Sequence, residues 1–298
     1  MDKKKYHQVF TLKDGRKLGY AEFGKTDGQP VFYCHGWLGG RLDFYITELY
    51  KKKLRCHIYA LDRPGIGLST FKEKREILDF PDDVVEIADH LGLDKFHILG
   101  MSGGGPYVAA CAYRIPNRLL SAGIIGGAGP HKDTIKSMKN PNRILFSLLR
   151  RVPFLFKIIL YPMWNRFLKM EFNEKTGKML ARQGMNLPEQ DKIIYENPVF
   201  QKFLIDYLKD ILQQKTKKGA FMDGKLFTKE WNFKLKDIPK NLKFYIWHGE
   251  QDKNVSVEIG RYYEANLPNC EAYYYPDEAH LSVMVNRIEE ILEKLTEL

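Results

Sequence analysis

Three short apolar runs constrain this chain most: VFYCHG at 31–36, HIYALD at 57–62 and FHILG at 96–100. Segments of a different rhythm separate them, such as DDVVEIADHLG at 82–92, where apolar residues recur at helical spacing. A strand that is apolar on both sides needs cover on both faces, and alternating helices supply it. The pattern therefore predicts an α/β protein with a mostly parallel sheet. Ahead of these runs, YHQVFTL and KLGYAEFG flank KDGR, an Asp-Gly hairpin signal, so the sheet is expected to open with an antiparallel pair. Late in the chain the alternation returns with KFYIWHG (243–249), a helix near 256–266, EAYYYP (271–276) and an amphipathic helix from about 281 onward.

Between the two halves the character changes. After SAGIIGGAGP (121–130), residues 131–230 show helical spacing, as in Phe200, Phe203, Leu204, Tyr207, Leu208 and Ile211, without strand alternation. The predicted organisation is a core of residues 1–130 and 231–298 interrupted by a helical insertion, 131–230. The insertion holds 20 Lys+Arg against 10 Asp+Glu and so contains the whole net charge of +10. A solvated basic face is the ordinary reading of such a balance, and contact with an anionic membrane surface is the alternative. Arg150, Arg151, Pro153 and Lys157 interrupt ILFSLLRRVPFLFKIILYPMW (144–164), leaving less than the roughly 18 to 20 apolar residues of a membrane span. A pair of short helices over a pocket is expected there, with an interfacial helix as the alternative. No signal-peptide pattern follows the initial MDKKKYHQVFTLKDG, and Cys34, Cys56, Cys111 and Cys270 lie far apart in apolar segments. Both features fit reduced thiols and a cytoplasmic location.

Gly100, Ser102 and Gly104 form G-x-S-x-G between the apolar run FHILG and the helical GGPYVAACAYR. In a sharp strand-to-helix turn the serine is held at a strained backbone angle, and its neighbours must be small because strand and helix nearly touch. The Gly103 N–H then lies at a helix start, where unpaired donors favour developing negative charge. HGWLGG (35–40) offers a second donor, assigned to the Trp37 N–H with Leu38 as fallback. A serine hydroxyl needs a base, and the base needs a third group to orient it. His280, in PDEAHLS, is the histidine that lies beyond the candidate acids. Asp252, in WHGEQDKNV, is preferred to Glu250 and Asp223 because its loop follows a strand. His35 reads as scaffold, and His57, His90, His97 and His248 as structural. Asp62 and Arg63 read as a salt-bridged turn.

HGWLGG, LDRPGIGLS, GMSGGG, WHGEQDKNV and EAHLS occur in the order and at the spacings of the α/β-hydrolase fold serine hydrolases, which this chain resembles outside 131–230. The resemblance implies an eight-stranded sheet flanked by helices, a triad of Ser102, Asp252 and His280, an oxyanion hole from the Trp37 and Gly103 N–H groups, and a helical cap at 131–230. It also implies cofactor-free, metal-free acyl transfer on a small-molecule ester or amide. An apolar ester is the leading substrate, as in esterases; amide or N-terminal peptide cleavage is the alternative, weakened by HGWLG where capped aminopeptidases read HGGPG. A low-turnover ligand-binding protein on the same fold is a further option. Serine at the elbow contradicts the aspartate nucleophile of epoxide and haloalkane hydrolases. No Lys-Ser/Thr follows the glycines at 103–105, and no basic-aromatic module is present, so neither a nucleotide nor a nucleic acid is expected as partner.

Overall fold

The computed structural model describes residues 3–130, 142–171, 187–213 and 216–297, with the single residues 176 and 179. Parts of the predicted insertion, namely 131–141, 172–175, 177–178, 180–186 and 214–215, lie outside the described residues.

Eight strands form one sheet: β1 (Gln8–Thr11), β2 (Lys17–Gly24), β3 (Pro30–Cys34), β4 (His57–Leu61), β5 (Phe96–Met101), β6 (Leu119–Ile125), β7 (Lys243–Gly249) and β8 (Cys270–Tyr275). Their order is β1-β2-β4-β3-β5-β6-β7-β8. β2 pairs antiparallel with both of its neighbours, and every other pairing is parallel. The opening hairpin is the expected one. Its connection is longer than a two-residue turn, with Leu12 N–H donating to Arg16 O at 2.8 Å and Gly15 taking φ 83°.

Period-two alternation divides each central strand between two cores. Phe32, Cys34, Ile98, Ile124 and Ile246 point to one face, where Val84, Ile87, Val108 and Tyr263 cover them. Val31, Tyr33, Leu99, Ile125 and Trp247 point to the other, against Ile46, Val283, Ile288 and Leu292. The helices Phe80–His90, Gly105–Arg114 and Val257–Asn266 supply the first cover, and His280–Thr296 supplies much of the second. This two-sided burial is why the strands read as unbroken apolar runs.

Between β6 and β7 the longer described elements are helices: Asn142–Arg151, Pro153–Leu168, Glu189–Glu196, Pro198–Gln213 and Lys217–Phe227. The segment 144–164 is a helix pair separated at Val152, and no helix among the described residues is long and apolar enough to cross a membrane. All four cysteines are free, three of them buried and Cys270 partly so.

Asp62 and Arg63 do not pair with each other. Asp62 bridges to Arg41 at 3.0 Å, whereas Arg63 bridges to Asp223 at 2.8 Å, all four side chains being buried. Both residues directly follow β4, which ends at Leu61, and each finds its own counter-charge.

Candidate active site

β5 delivers its last residue, Met101, into a tight turn over Ser102–Gly104 that passes directly into the helix Gly105–Arg114. Ser102 takes φ 53°, a left-handed conformation that costs a non-glycine residue roughly 1–3 kcal/mol. Its carbonyl accepts from Gly105 N–H and from Ala128 N–H at 2.8 Å, which holds the turn. The flanking glycines are sterically required. A Cβ on Gly104 would stand 2.1 Å from the Cys34 carbonyl oxygen, and one on Gly100 would meet Val108 Cγ2 at 2.6 Å.

Asp252 arrives from a loop after a later strand, and His280 as the first residue of the helix His280–Thr296 that follows β8. Asp252 follows β7; its Oδ1 accepts from Asn254 N–H (2.7 Å) and Val255 N–H (2.8 Å), leaving Oδ2 for His280 Nδ1 at 2.6 Å. Burial alone would raise the Asp252 carboxyl, but the His280 charge and hydrogen bonds from His248 and His280 hold it well below the usual carboxylate range. Burial opposes protonation of His280 in turn, and the Asp252 charge and hydrogen bond outweigh it, so the imidazole is raised above 6.5, with Asp191 adding in the same direction. Glu250 is exposed with an Arg261 nitrogen 3.9 Å away, and Asp223 is fully buried between Arg63 and Arg75. The rival acids are therefore both engaged away from His280.

Ser102 and His280 line one cavity of about 220 Å³. Its walls include Tyr195, Phe200, Phe203, Leu204 and Tyr207 from the helices Glu189–Glu196 and Pro198–Gln213, together with Met101 and Met284. Of the helix pair Asn142–Arg151 and Pro153–Leu168, expected over a pocket, the described residues Leu149 and Arg150 line a second cavity instead of this one. A larger cavity of about 470 Å³, lined by Ile77, Leu149 and Trp231 among others, holds none of the predicted site residues, so here chemistry outweighs size as a guide.

Trp37 also lies at the elbow: its backbone nitrogen is 2.8 Å from where a Gly103 Cβ would be. The turn Gly36–Gly39, closed by Gly39 N–H donating to Gly36 O, places Leu38 at φ 61°, a position where glycine is usual. Asp43 holds this turn by accepting from Gly36 N–H and Gly40 N–H, both at 3.2 Å. Tyr207 donates its hydroxyl to the same carboxylate. Sequence reasoning missed Asp43. A carboxylate three residues after a glycine pair is the signal that could have marked it.

His35 is buried and held neutral, first by desolvation and then by Arg63. Its Nδ1–H donates to Gly36 O (2.8 Å) while Nε2 accepts from Arg63 N–H (3.2 Å), so both ring nitrogens serve the scaffold. Outside the site, His57 pairs with Glu22, His90 stacks on Phe10, and His97 bonds Ser121 and Gln29.

A serine held left-handed between the fifth strand of a mostly parallel sheet and a helix, with an Asp–His pair delivered after later strands, marks the α/β class of hydrolase-like proteins. Residues 29–287 match the sequence profile of the alpha/beta hydrolase fold, and the chain belongs to that family. It is 31% identical over 133 residues to a bifunctional esterase/perhydrolase of Acinetobacter calcoaceticus. That alignment covers 44% of this chain and 48% of the relative, so the matched stretch spans about half of that protein. Along most of its length the chain is 23% identical to Lipase 1 of Psychrobacter immobilis, covering 94% of this chain and 80% of the lipase. A thermophilic esterase from Thermogutta terrifontis shares the fold, with a TM-score of 0.65 at 19% identity over 97% of this chain and 99% of that one.

Proposed function

We propose that the protein is a serine hydrolase that cleaves carboxylic esters of small or medium apolar substrates through an acyl-enzyme. His280 takes the Ser102 proton as the serine oxygen attacks the ester carbonyl. Asp252 holds the imidazole in the required tautomer and offsets its positive charge. The Trp37 and Gly103 N–H groups receive the oxyanion, and the alkoxide leaves with the proton from His280. Water then attacks the acyl-enzyme with His280 again as base.

The observation that carries this reading is the bond of 2.6 Å from His280 to Asp252 beside a cavity shared with a left-handed Ser102. The esterase/perhydrolase and lipase relatives support an ester as substrate. A cavity of about 220 Å³ is smaller than the roughly 300–1,000 Å³ of pockets for drug-sized ligands, which favours a compact acyl group among Phe200, Phe203 and Leu204. Residues 131–230 act in this scheme as the cap that selects substrate, since Tyr195, Phe200, Phe203, Leu204 and Tyr207 of the cavity wall come from them. Free cysteines support a reducing compartment.

A fluorophosphonate probe should label the wild type and leave Ser102→Ala unlabelled. Across p-nitrophenyl esters of increasing chain length, set beside aminoacyl amides, turnover is expected for the shorter esters. Preference for the amides would overturn the ester assignment, and equal labelling of wild type and Ser102→Ala would overturn the hydrolase itself.

A further inference from the structure

The helix that carries His280 begins without a cap of its own. His280 is its first residue and Ala279 its N-cap, whose methyl group accepts no hydrogen bond. The N–H groups of Leu281 and Ser282, at the second and third helical positions, are those an N-cap side chain normally receives. Ser282 uses its hydroxyl to accept from Ala279 N–H at 2.7 Å. The missing acceptor comes from about ninety residues earlier in the chain. Asp191 Oδ1, in the first turn of the helix Glu189–Glu196, accepts from Leu281 N–H and from Ser282 N–H, both at 2.9 Å. Asp191 is 2% exposed, an unusual setting for a carboxylate unless a specific partner holds it.

We propose that Asp191 is a positioning residue for His280: it fixes the first turn of the histidine's helix from outside and places a second negative charge beside the imidazolium formed in catalysis. This rests on the reading of His280 as the base. The helix N-terminus carries a partial positive charge that disfavours imidazolium. Asp191 sits on that terminus and cancels it.

Other ionisable groups around His280 are committed elsewhere or act directly. Asp252 contacts the ring, with His248 of β7 at 3.5 Å from the same carboxylate. Glu278, on the loop before His280, is held by Arg287 and Asn286. Across the cavity stand Ser102, Tyr33, Tyr195, Tyr207 and Asp43, the last engaged by Gly36, Gly40 and Tyr207. Asp191 is thus the carboxylate whose charge is added to that of Asp252 at His280. Burial raises the Asp191 carboxyl, while the Ser282 N–H and the His280 charge oppose that rise.

Asp191→Asn keeps an oxygen for both N–H groups and removes the charge; Asp191→Ala removes both. The His280 ring is titrated by NMR on histidine-labelled protein, assigned with His280→Gln, and labelling of Ser102 by a fluorophosphonate is followed against pH. Expected for Asp191→Asn is a near-wild-type Tm, a His280 midpoint about half a pH unit lower, an acid limb of labelling displaced with it, and a slower plateau. Asp191→Ala should lose Tm as well. A wild-type His280 midpoint in whichever of the two variants folds would overturn the electrostatic role and leave a cap alone. Failure of the wild type to label would sink the hydrolase reading, while the NMR midpoint would still decide the role of Asp191.

Discussion

Asp223→Asn is the substitution from which most is expected per atom changed. The Asp223 carboxylate is fully buried, accepts from Arg63 Nε at 2.8 Å and from Tyr107 Oη at 2.9 Å, and contacts Arg75 Nη2. Arg63 spans from it to the His35 and Gly36 carbonyls, so the helix Lys217–Phe227 is tied through one guanidinium to the turn beside Ser102. Asparagine fits the space but presents an NH2 to a cation and leaves two buried guanidiniums without their shared counter-charge. Removing one partner from a buried ion pair costs about 3–5 kcal/mol, and at roughly 2–4 °C per kcal/mol Tm should fall by about 6–20 °C. Asp82→Asn, which breaks the exposed pair with Arg114, should cost under about 1 kcal/mol and serves as the control. Calorimetry at neutral pH measures both. The pH dependence has a definite sign: although burial alone would raise it, Arg63 and Arg75 depress the Asp223 carboxyl from 3.8 to about 2. Its contribution is therefore complete above pH 3.8 and is lost as pH falls through about 2, an increment on the order of 2 kcal/mol that Asp223→Asn should abolish. A variant melting within about 2 °C of wild type would refute the reasoning.

Gly104→Ala should fail to accumulate as folded protein or lose Ser102 labelling, because its Cβ would lie 2.1 Å from a strand carbonyl; normal labelling with unchanged Tm would show that the elbow relaxes at little cost. Asp252→Asn should lower kcat by about 10⁴-fold through the wrong histidine tautomer, whereas Glu250→Gln should leave it near wild type. Steady-state kinetics on a p-nitrophenyl ester separates the two. The acid limb of kcat/KM should have its midpoint above 6.5, because Asp252 favours imidazolium and the base must be neutral to act; a midpoint below 6 would contradict the geometry. By the same linkage, the stabilisation from protonated His280 is fully present below pH 6.5 and disappears as pH rises through the folded value.

The parts of this molecule visible in the sequence are those with a local signature. β3, β4 and β5 appear as apolar runs because both of their faces are buried, and the elbow shows as small residues because strand and helix leave no room for a Cβ. Asp252 and His280 could be chosen because each comes a few residues after a strand, Asp252 in a loop and His280 at the start of the last helix. Pairings between distant side chains leave no such trace. Nothing near Asp191 marks it as a cap for a helix that begins at 280, and nothing near Arg63, in its salt-bridged turn, marks its partner Asp223, 160 positions away. The helix pair at 142–168 was legible as helices. That Leu149 and Arg150 line a cavity with Trp231 and Phe233 depends on how the chain returns after 216, which periodicity does not encode.

The helix Pro198–Gln213 bears a division of labour along one stripe. Phe200, Phe203 and Leu204 face the cavity, Tyr207 both faces it and bonds Asp43, and Asp210 bridges to Arg41 at 2.7 Å one turn farther on. The helix thus shapes the cavity with its first turns and ties that wall to the core with its later ones, the two roles meeting at Tyr207. A lineage, or a mutant library, that varies 200, 203 and 204 can reshape the cavity while the anchors at 207 and 210 keep its wall in register with Ser102.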